Sequence, residues 1–532
     1  MSSPRNIRRT GSVLRRVFLA AGLAAVLIGP VKAQEGAESI SELVQKIERL
    51  EHDQLLLEDR LLRLQHATEP AQRGGEAQTP NAAGEVRDGD VVRASVDSVF
   101  REAEADRDAV IEEQNRKISA LQSAWQALQS KPAEKKYPNV AVNGVFQFDG
   151  GWFHQDRASL DEFGRLEDGF DFRRARISAS GNITPDMNYF LQLDFGVAAP
   201  GRPSFTDVWV EQTNVPLLGT VRVGQWKEPF SLEVVSSFRY TTFMERSVLF
   251  QAFTPFRHPG IGFYDHSADE TMTWAAAVFR SGQDQFGNSI STDGGWGTAE
   301  RITWLPHWEC NGEEYLHLGA GHFYNSPPHD RVVFRTIPEL FIGQSVTAAG
   351  GTSGIPTPTG AIDGTPFFVT TGTLLVNHYN VLGSELLWVV GPFSLQSEAM
   401  VNFVDQAGGN PHAMLDGAYA QVGYFLTGEH RPYNRKLAAI DRVQPKHPVR
   451  LGDGNGTPSG WGAWEAALRF SYLDLNDKNI RGGSIQDWTV GVNWYLNAYT
   501  KAVFNYVRAM PNNPGRATSH TDLFGLRAQV DF

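Results

Sequence analysis

The sequence predicts an all-β transmembrane barrel of about 16 antiparallel strands, preceded by an α-helical coiled coil. Three observations support this prediction: an N-terminal secretory signal, a long region in which apolar and polar residues alternate, and a last strand of the same period that ends on Phe532. Side chains on a strand alternate between its two faces, so this period gives one apolar face for lipid and one polar face for a lumen. No segment approaches the ~20 continuous apolar residues of a transmembrane helix.

Residues 1–33 are predicted to be a secretory signal peptide. Several arginines precede a short apolar run, and small residues before position 34 provide a cleavage site. The mature chain is therefore expected to begin at Gln34. The pair Arg15-Arg16 leaves export by the general secretory route or by the twin-arginine route open.

The composition argues against several classes of partner and site. The chain has 48 basic and 60 acidic residues, and without the six basic residues of the signal its charge is about −18. Such an acidic chain is not expected to bind nucleic acid. Cys310 is the only cysteine, so neither an internal disulfide nor a cysteine-based metal site is expected. No hydrolase, P-loop or dinucleotide motif occurs, and the sequence predicts a protein without catalytic residues, metal or cofactor.

A heptad repeat over 40–64 predicts a coiled coil in residues 34–65. Its a and d positions are apolar except for Gln54. The apolar pattern by itself favours two strands, and Gln54 leaves a dimer or a trimer open. A single amphipathic helix packed on a globular domain is the alternative. Residues 66–90 are predicted to form a linker and residues 91–136 a second helical segment. These helices are expected in the periplasm, with peptidoglycan as a candidate partner.

Residues 137–532 are predicted to form the barrel, because the alternation has a period of two from Tyr137 onward. A soluble β-propeller is the alternative, but it would show a repeated blade motif, and the sequence has none. The sixteen segments with this alternation lie near 140–148, 170–180, 188–196, 205–212, 219–226, 259–265, 272–280, 298–306, 314–324, 378–390, 392–404, 415–427, 461–474, 484–496, 499–509 and 522–532.

The even number of strands assigns each connection to one side of the membrane. A barrel of this size is expected to enclose an aqueous lumen instead of a packed core. Tracing the strands from a periplasmic start places connections 227–258 and 325–377 on the outer face, and 325–377 is expected to be a mobile exterior loop. Segment 428–460 falls on the periplasmic side, where turns are normally short. It is therefore expected either to enter the lumen or to overhang in the periplasm.

Several motifs distributed over 137–532 resemble those of the phosphate-selective porin O and P family. The resemblance implies a trimeric porin of the outer membrane with sixteen strands and with some connecting segments folded into the lumen. It also implies small anions and outer-membrane lipids as partners. The motifs are Phe172–Arg176, Gly224–Glu233, Phe243–Ser247, Tyr424–Tyr433 and Gly462–Glu465.

Basic residues on the polar strand faces and in the long connections are the candidates for anion selectivity. A pore selects by its narrowest radius and by the charge there, so local charge matters more than total charge. The alternative is that lumen arginines only pair with acids on neighbouring strands. The candidates are Arg174, Arg176, Lys227, Arg239, Arg246, Arg431, Arg435, Lys436 and Arg442.

These observations predict a channel for the passive diffusion of small hydrophilic solutes, in particular anions such as phosphate or polyphosphate. Two alternatives stay open at this point. The acidic composition favours a general or cation-preferring pore. The coiled coil favours a structural barrel that anchors the envelope.

Overall fold

A computed structural model describes residues 136–196, 204–281, 295–343, 365–450 and 460–532, and six residues between positions 110 and 119. Those six are helical, and Lys117 forms an ion pair of 2.7 Å with Glu113 one turn earlier. The predicted signal peptide, coiled coil and linker lie outside the described residues, as does most of the second helical segment. Among the described residues, no helix is long and apolar enough to cross a membrane.

Sixteen antiparallel strands form one closed barrel in which each strand pairs with the next in sequence and the last pairs with the first. Each of the sixteen predicted segments overlaps one of these strands, so the predicted number and order are confirmed. The strands are β1 (Ala141–Gln155), β2 (Gly169–Thr184), β3 (Met187–Asp194), β4 (Ser204–Val215), β5 (Gly219–Lys227), β6 (Arg257–His266), β7 (Met272–Phe279), β8 (Trp296–Glu309), β9 (Glu314–Ser326), β10 (Leu374–Val390), β11 (Phe393–Gln406), β12 (Ala413–Phe425), β13 (Ala463–Asp477), β14 (Ile480–Asn497), β15 (Thr500–Asn512) and β16 (Thr521–Asp531).

Short helices and two-residue ladders occur only in the connections of the described chain. The helices are α1 (Arg157–Phe163), α2 (Leu232–Val235) and α3 (Val248–Phe253). The ladders pair Arg335–Thr336 with Val369–Thr370 and Tyr433–Asn434 with Ala439–Ile440, while Arg331–Val332 pairs with the start of β10.

The barrel closes between β1 and β16. Their register runs from the Val145–Asp531 pair to the Gln155–Thr521 pair. Beyond β16, Gly144 and Phe532 exchange two backbone hydrogen bonds of 3.0 Å each. The ring of Phe532 covers Gly144 so closely that a Cβ at this position would lie 2.4 Å from it, so a larger residue here would displace the ring.

The alternation in the sequence corresponds to the two faces of the barrel wall. In β1, Phe146 and Phe148 are exposed on the outer face, while Gln147 and Asp149 are buried on the inner face. A bulge in β2 interrupts the alternation opposite Gln147 and Phe148. As a result, two neighbouring residues, Arg173 and Arg174, are both buried. A regular alternation would have placed one of them in the lipid.

The expectation of an aqueous lumen without a packed core is wrong for much of the interior. The connection between β5 and β6, residues 228–256, folds inward and is called the inner loop below. Its apolar side chains form one cluster with residues of β7–β16, most of them on β10–β16. The inner loop contributes Phe230, Met244, Val248, Leu249, Ala252 and Phe253 to this cluster.

The expectation that 325–377 is an exterior loop is also wrong for its described part. Phe334, Ile337, Leu340 and Phe341 are buried, and Leu340 packs against the backbone of Gly525 on β16. These apolar side chains enter the barrel because burial removes their surface from water. Residues 344–364, which include the glycine-rich motif, are outside the described residues.

Buried polar contacts fix the inner loop to the wall. The backbone amides of Leu232 and Glu233 donate to the carboxylate of Glu398 on β11, at 3.1 and 2.9 Å. Five strands further along the barrel wall, Arg527 of β16 donates to Glu245 at 2.7 Å and to both oxygens of Asp149. The inner loop is therefore held at two separate places on the wall.

We expect Arg527→Met to destabilise the barrel by about 3–5 kcal/mol, because it leaves the buried carboxylate of Asp149 without its cation and removes one of the two arginines that donate to Glu245. The free energy of unfolding in urea measures the loss. The matched control is Arg508→Met, which removes a half-exposed cation that pairs with Asp522 at 3.8 Å. This control should cost less than about 1 kcal/mol. Equal losses in the two variants would contradict the assigned role of Arg527.

Candidate functional site: a basic cavity in the barrel

The open part of the interior is a cavity of about 710 Å³. One side is the inner face of strands β3–β7, and the other side is the inner loop from Val235 to Arg239. Residues 436–439, which belong to the long connection at the other end of the barrel, complete the wall. Most strand residues of the apolar cluster belong to β10–β16, so the cluster and the cavity lie against largely different strands.

The wall of the cavity carries more positive than negative side chains. Three carboxylates, Asp207, Glu211 and Asp265, contribute to the lining. The basic side chains of the lining are Arg176, Arg222, Lys227, Arg239, Arg257, Arg301 and Lys436. The excess of cations is therefore local, in a chain whose net charge is negative.

Arg257 has a hydrogen-bond donor without a partner. Its Nε and Nη2 donate to Asp207 at 3.1 and 2.8 Å. Its Nη1 is buried and has no hydrogen-bond acceptor among the described residues. A buried donor left unpaired costs about 1–3 kcal/mol. The Nη1 atom is enclosed by protein, so Arg257 acts on the cavity through its charge.

Arg176 and Arg239 both lie against the ring of Phe238, a residue of the inner loop. Their guanidinium groups are 4.6 and 5.0 Å from the centre of its ring. Arg176 also donates to Asp194 at 2.6 Å. Arg239 is 3.7 Å from Asp531, and burial lowers the pKa of Arg239. The ring thus orients both cations at the cavity.

Two further cations of the lining also hold the inward segments in place. The Nζ of Lys227 donates to the carbonyl oxygens of Val234 and Ser236 at 2.7 and 2.8 Å, and so fixes the end of α2. Arg301 binds Glu385 through two hydrogen bonds of 2.8 and 2.7 Å. Its Nη2 also donates to the carbonyl oxygen of Ala438 at 2.8 Å.

Segment 428–460, as far as it is described, lies inside the barrel at the end that carries the short turns. Arg431 is fully buried and donates to Glu465 on β13 and, at 2.8 Å, to Thr242 of the inner loop. The amide of Ile440 donates to Ser236 at 3.0 Å. Residues 451–459 are outside the described residues.

Five of the nine predicted candidates do not contribute to the cavity lining. Arg174 donates to Gln147, and Arg246 donates to the carbonyl oxygens of Glu233 and Ser236. Burial lowers the pKa of Arg246 to about 10. The other three belong to segment 428–460: Arg431 pairs with Glu465, Arg435 with Glu270, and Arg442 with Asp531. The candidates in the lining are Arg176, Lys227, Arg239 and Lys436.

Three cations of the lining are absent from the predicted set: Arg222, Arg257 and Arg301. Arg222 lies between Val221 and Val223 in the sequence, so the alternation could have placed it on the lumen face. The same alternation cannot show which part of the lumen stays open. That depends on where the inner loop packs.

The carboxylate of Glu245 joins the inner loop to two strands. Arg173 donates to it at 2.9 and 3.0 Å, and Arg527 donates at 2.7 Å. Burial by itself would raise the pKa of Glu245, but Arg173, Arg174 and Arg527 lower it well below its usual range. This carboxylate therefore stays charged in moderate acid.

One group of described residues could ligate a metal ion, and it lies away from the cavity lining. His307, Glu309 and Glu314 form the end of the β8–β9 hairpin, and their ligating atoms lie within 4.8 Å of one another. Glu309 is exposed to solvent. No fourth ligand is present among the described residues, so we assign no metal site to this group.

The sequence profile of the family described as phosphate-selective porin O and P matches residues 146–532. Porin O of Pseudomonas aeruginosa is 25% identical over 396 residues, which cover 69% of this chain and 84% of that protein. An uncharacterized protein of Caulobacter vibrioides is 26% identical over 405 residues, covering 74% of this chain and 73% of that protein.

Solved structures with a similar fold are more distant. An anion-selective porin from Comamonas acidovorans is 11% identical, with a TM-score of 0.46, and covers 74% of this chain and 99% of that chain. OmpT of Vibrio cholerae in its trimer form is 10% identical, with a TM-score of 0.44, and covers 75% of this chain and all of that chain.

We expect Glu245→Gln to destabilise the barrel at pH 7 and at pH 5, and to have a smaller effect near pH 3. A carboxylate with a lowered pKa contributes stability above its ordinary value of 4.5, and loses it as the pH falls toward the folded-state pKa. The free energies of unfolding of the variant and the wild type, measured in urea at the three pH values, give the destabilisation at each pH. The control is Glu314→Gln on the β8–β9 hairpin. A destabilisation by Glu245→Gln that grows as the pH falls would contradict the pairing of Glu245 with the two arginines.

Proposed function

Because the chain belongs to the phosphate-selective porin O and P family of outer-membrane porins, we propose that it passes small hydrophilic anions, including phosphate or polyphosphate. Transport is passive and follows the solute gradient. The preference for anions arises in the cavity described above, because the charge at the narrowest part of a pore sets its selectivity.

The observation that carries this proposal is the local charge of the cavity wall, in which seven cationic side chains face three carboxylates. An anion that enters the cavity is attracted by this excess of positive charge. Charge-assisted hydrogen bonds from guanidinium groups to phosphate are strong and directional. The same cationic groups repel a cation, so the wall discriminates between solutes by the sign of their charge.

The net negative charge of the chain does not oppose this preference. Interactions between charges exposed to solvent are largely screened beyond about 8 Å at physiological ionic strength. The cations of the cavity are close to a passing ion, while most acidic residues lie elsewhere. The general or cation-preferring pore therefore has less support from the geometry than the anion channel.

The assembly is also part of the proposal. A homotrimer follows from the family resemblance alone. The even strand number places the beginning of β1 and the end of β16 at the same end of the barrel. With that end in the periplasm, the predicted coiled coil lies there as well, with peptidoglycan as its candidate partner.

The purified protein is placed in a planar bilayer across a tenfold potassium chloride gradient. We expect the reversal potential to lie on the anion side, with the sign of a channel that prefers chloride over potassium. Millimolar phosphate should then reduce the chloride current, because phosphate occupies the same cations. Reversal-potential measurements in chloride and in phosphate provide the test. A reversal potential on the cation side, with no effect of phosphate, would exclude the anion channel.

We expect Arg257→Gln to lower the anion-to-cation permeability ratio by about fivefold, because it removes a cation from the cavity wall and leaves Asp207 unbalanced. A unit charge contributes about 1 kcal/mol to an ion about 4 Å away in water. Glutamine keeps a donor for Asp207 and removes the charge. Reversal potentials of the variant and the wild type give the ratio.

The control for Arg257→Gln is Arg516→Gln, which removes the same charge from the exposed β15–β16 connection. It should leave the permeability ratio nearly unchanged. Equal shifts in the two variants would show that total charge, and not the cavity, sets the selectivity.

A further inference from the structure

We propose that the cavity also accepts anions that carry an aromatic ring, such as aryl carboxylates, with the ring against Phe190 and Trp209 and the anionic group at Arg222. This inference rests on the proposed function, because it names a second solute class for the same cavity. It rests on side chains that a channel for fully hydrated anions alone does not require.

The first observation is an aromatic wall that faces the lumen. Phe190 on β3 and Trp209 on β4 lie directly opposite each other in the strand register. Their rings are stacked with 5.6 Å between the centres and an angle of 14° between the planes. Both side chains contribute to the cavity lining, while their neighbours Leu191 and Val210 are exposed on the outer face of the barrel.

The second observation is a cation that is held against this wall. The guanidinium group of Arg222 lies 4.1 Å from the ring centre of Trp209 and 4.9 Å from that of Tyr264. Its Nε and Nη2 both donate to one oxygen of Glu211, at 2.9 and 2.6 Å. Its Nη1 donates to no acceptor among the described residues. The group is thus oriented and retains donor capacity.

Together these side chains suit a solute with one apolar face and one anionic group. A strongly hydrated anion such as phosphate gains little from an aromatic wall. An aromatic ring does gain, because it covers apolar surface and stacks on Phe190 and Trp209. Glu211 already balances part of the charge of Arg222, which favours a solute with a single negative charge at this point.

The size of the cavity is consistent with this solute class. Its volume of about 710 Å³ lies within the range of about 300–1,000 Å³ that is usual for small-molecule sites. A solute with one ring leaves space for water beside it. The solute can then bind to the aromatic wall transiently as it moves through the channel, without blocking the channel permanently.

The test compares two monoanions, benzoate and gluconate, as blockers of the chloride current through single channels. We expect benzoate to reduce the current at a concentration about 3–10-fold below that of gluconate, which is the gain expected from ring stacking. Equal concentrations for the two anions would overturn the inference.

The variant Phe190→Thr/Trp209→Thr should remove the advantage of benzoate and keep the anion-side reversal potential in chloride. Arg222→Gln, which keeps both rings, should weaken the block by benzoate and provides a second variant if the double variant does not fold. The matched control is Phe263→Thr/Trp304→Thr, which changes two rings on the outer face and should behave as the wild type.

An unchanged block by benzoate in Phe190→Thr/Trp209→Thr, or in Arg222→Gln, would also overturn the inference. In each of these cases a reversal potential on the anion side leaves the proposed function intact. A reversal potential on the cation side in the wild type would instead overturn the proposed function. The two failures are therefore distinguishable.

Discussion

The burial of Glu245 between arginines of β2 and β16 is the interaction on which much of the interior depends. Arg173 and Arg527 bring this residue of the inner loop to the point where the barrel closes. A buried ion pair stabilises only when its remaining polar atoms are also satisfied. Here Asp149 and the carbonyl oxygen of Met244 accept the other donors of Arg527.

This anchoring divides the interior into two unequal parts. The inner loop contributes its apolar side chains to a packed cluster, most of whose strand residues lie on β10–β16. Its residues Phe238 and Arg239 line the cavity, together with strands β3–β7. The barrel thus combines a hydrophobic core with a polar cavity.

In the proposed anion channel, charge pairing and ion selectivity involve the same residues. Most lumen arginines have carboxylate partners, as Arg176 with Asp194 and Arg301 with Glu385 show. Pairing orients a guanidinium group and leaves its remaining donors free to act. The sequence left two roles open for the lumen arginines: anion selectivity and pairing with acids on neighbouring strands. The two roles are therefore compatible.

The sequence by itself determined the strand number, the strand order and the lipid-facing residues, because a period of two reports which side of a wall each side chain occupies. It did not reveal the bulge that turns both Arg173 and Arg174 inward, nor the apolar core of the lumen. These depend on contacts between residues far apart in the chain, such as Glu233 with Arg469 and Glu245 with Arg527. Local alternation carries no information about such contacts. Only the tertiary structure decided which of the predicted cations face the open cavity.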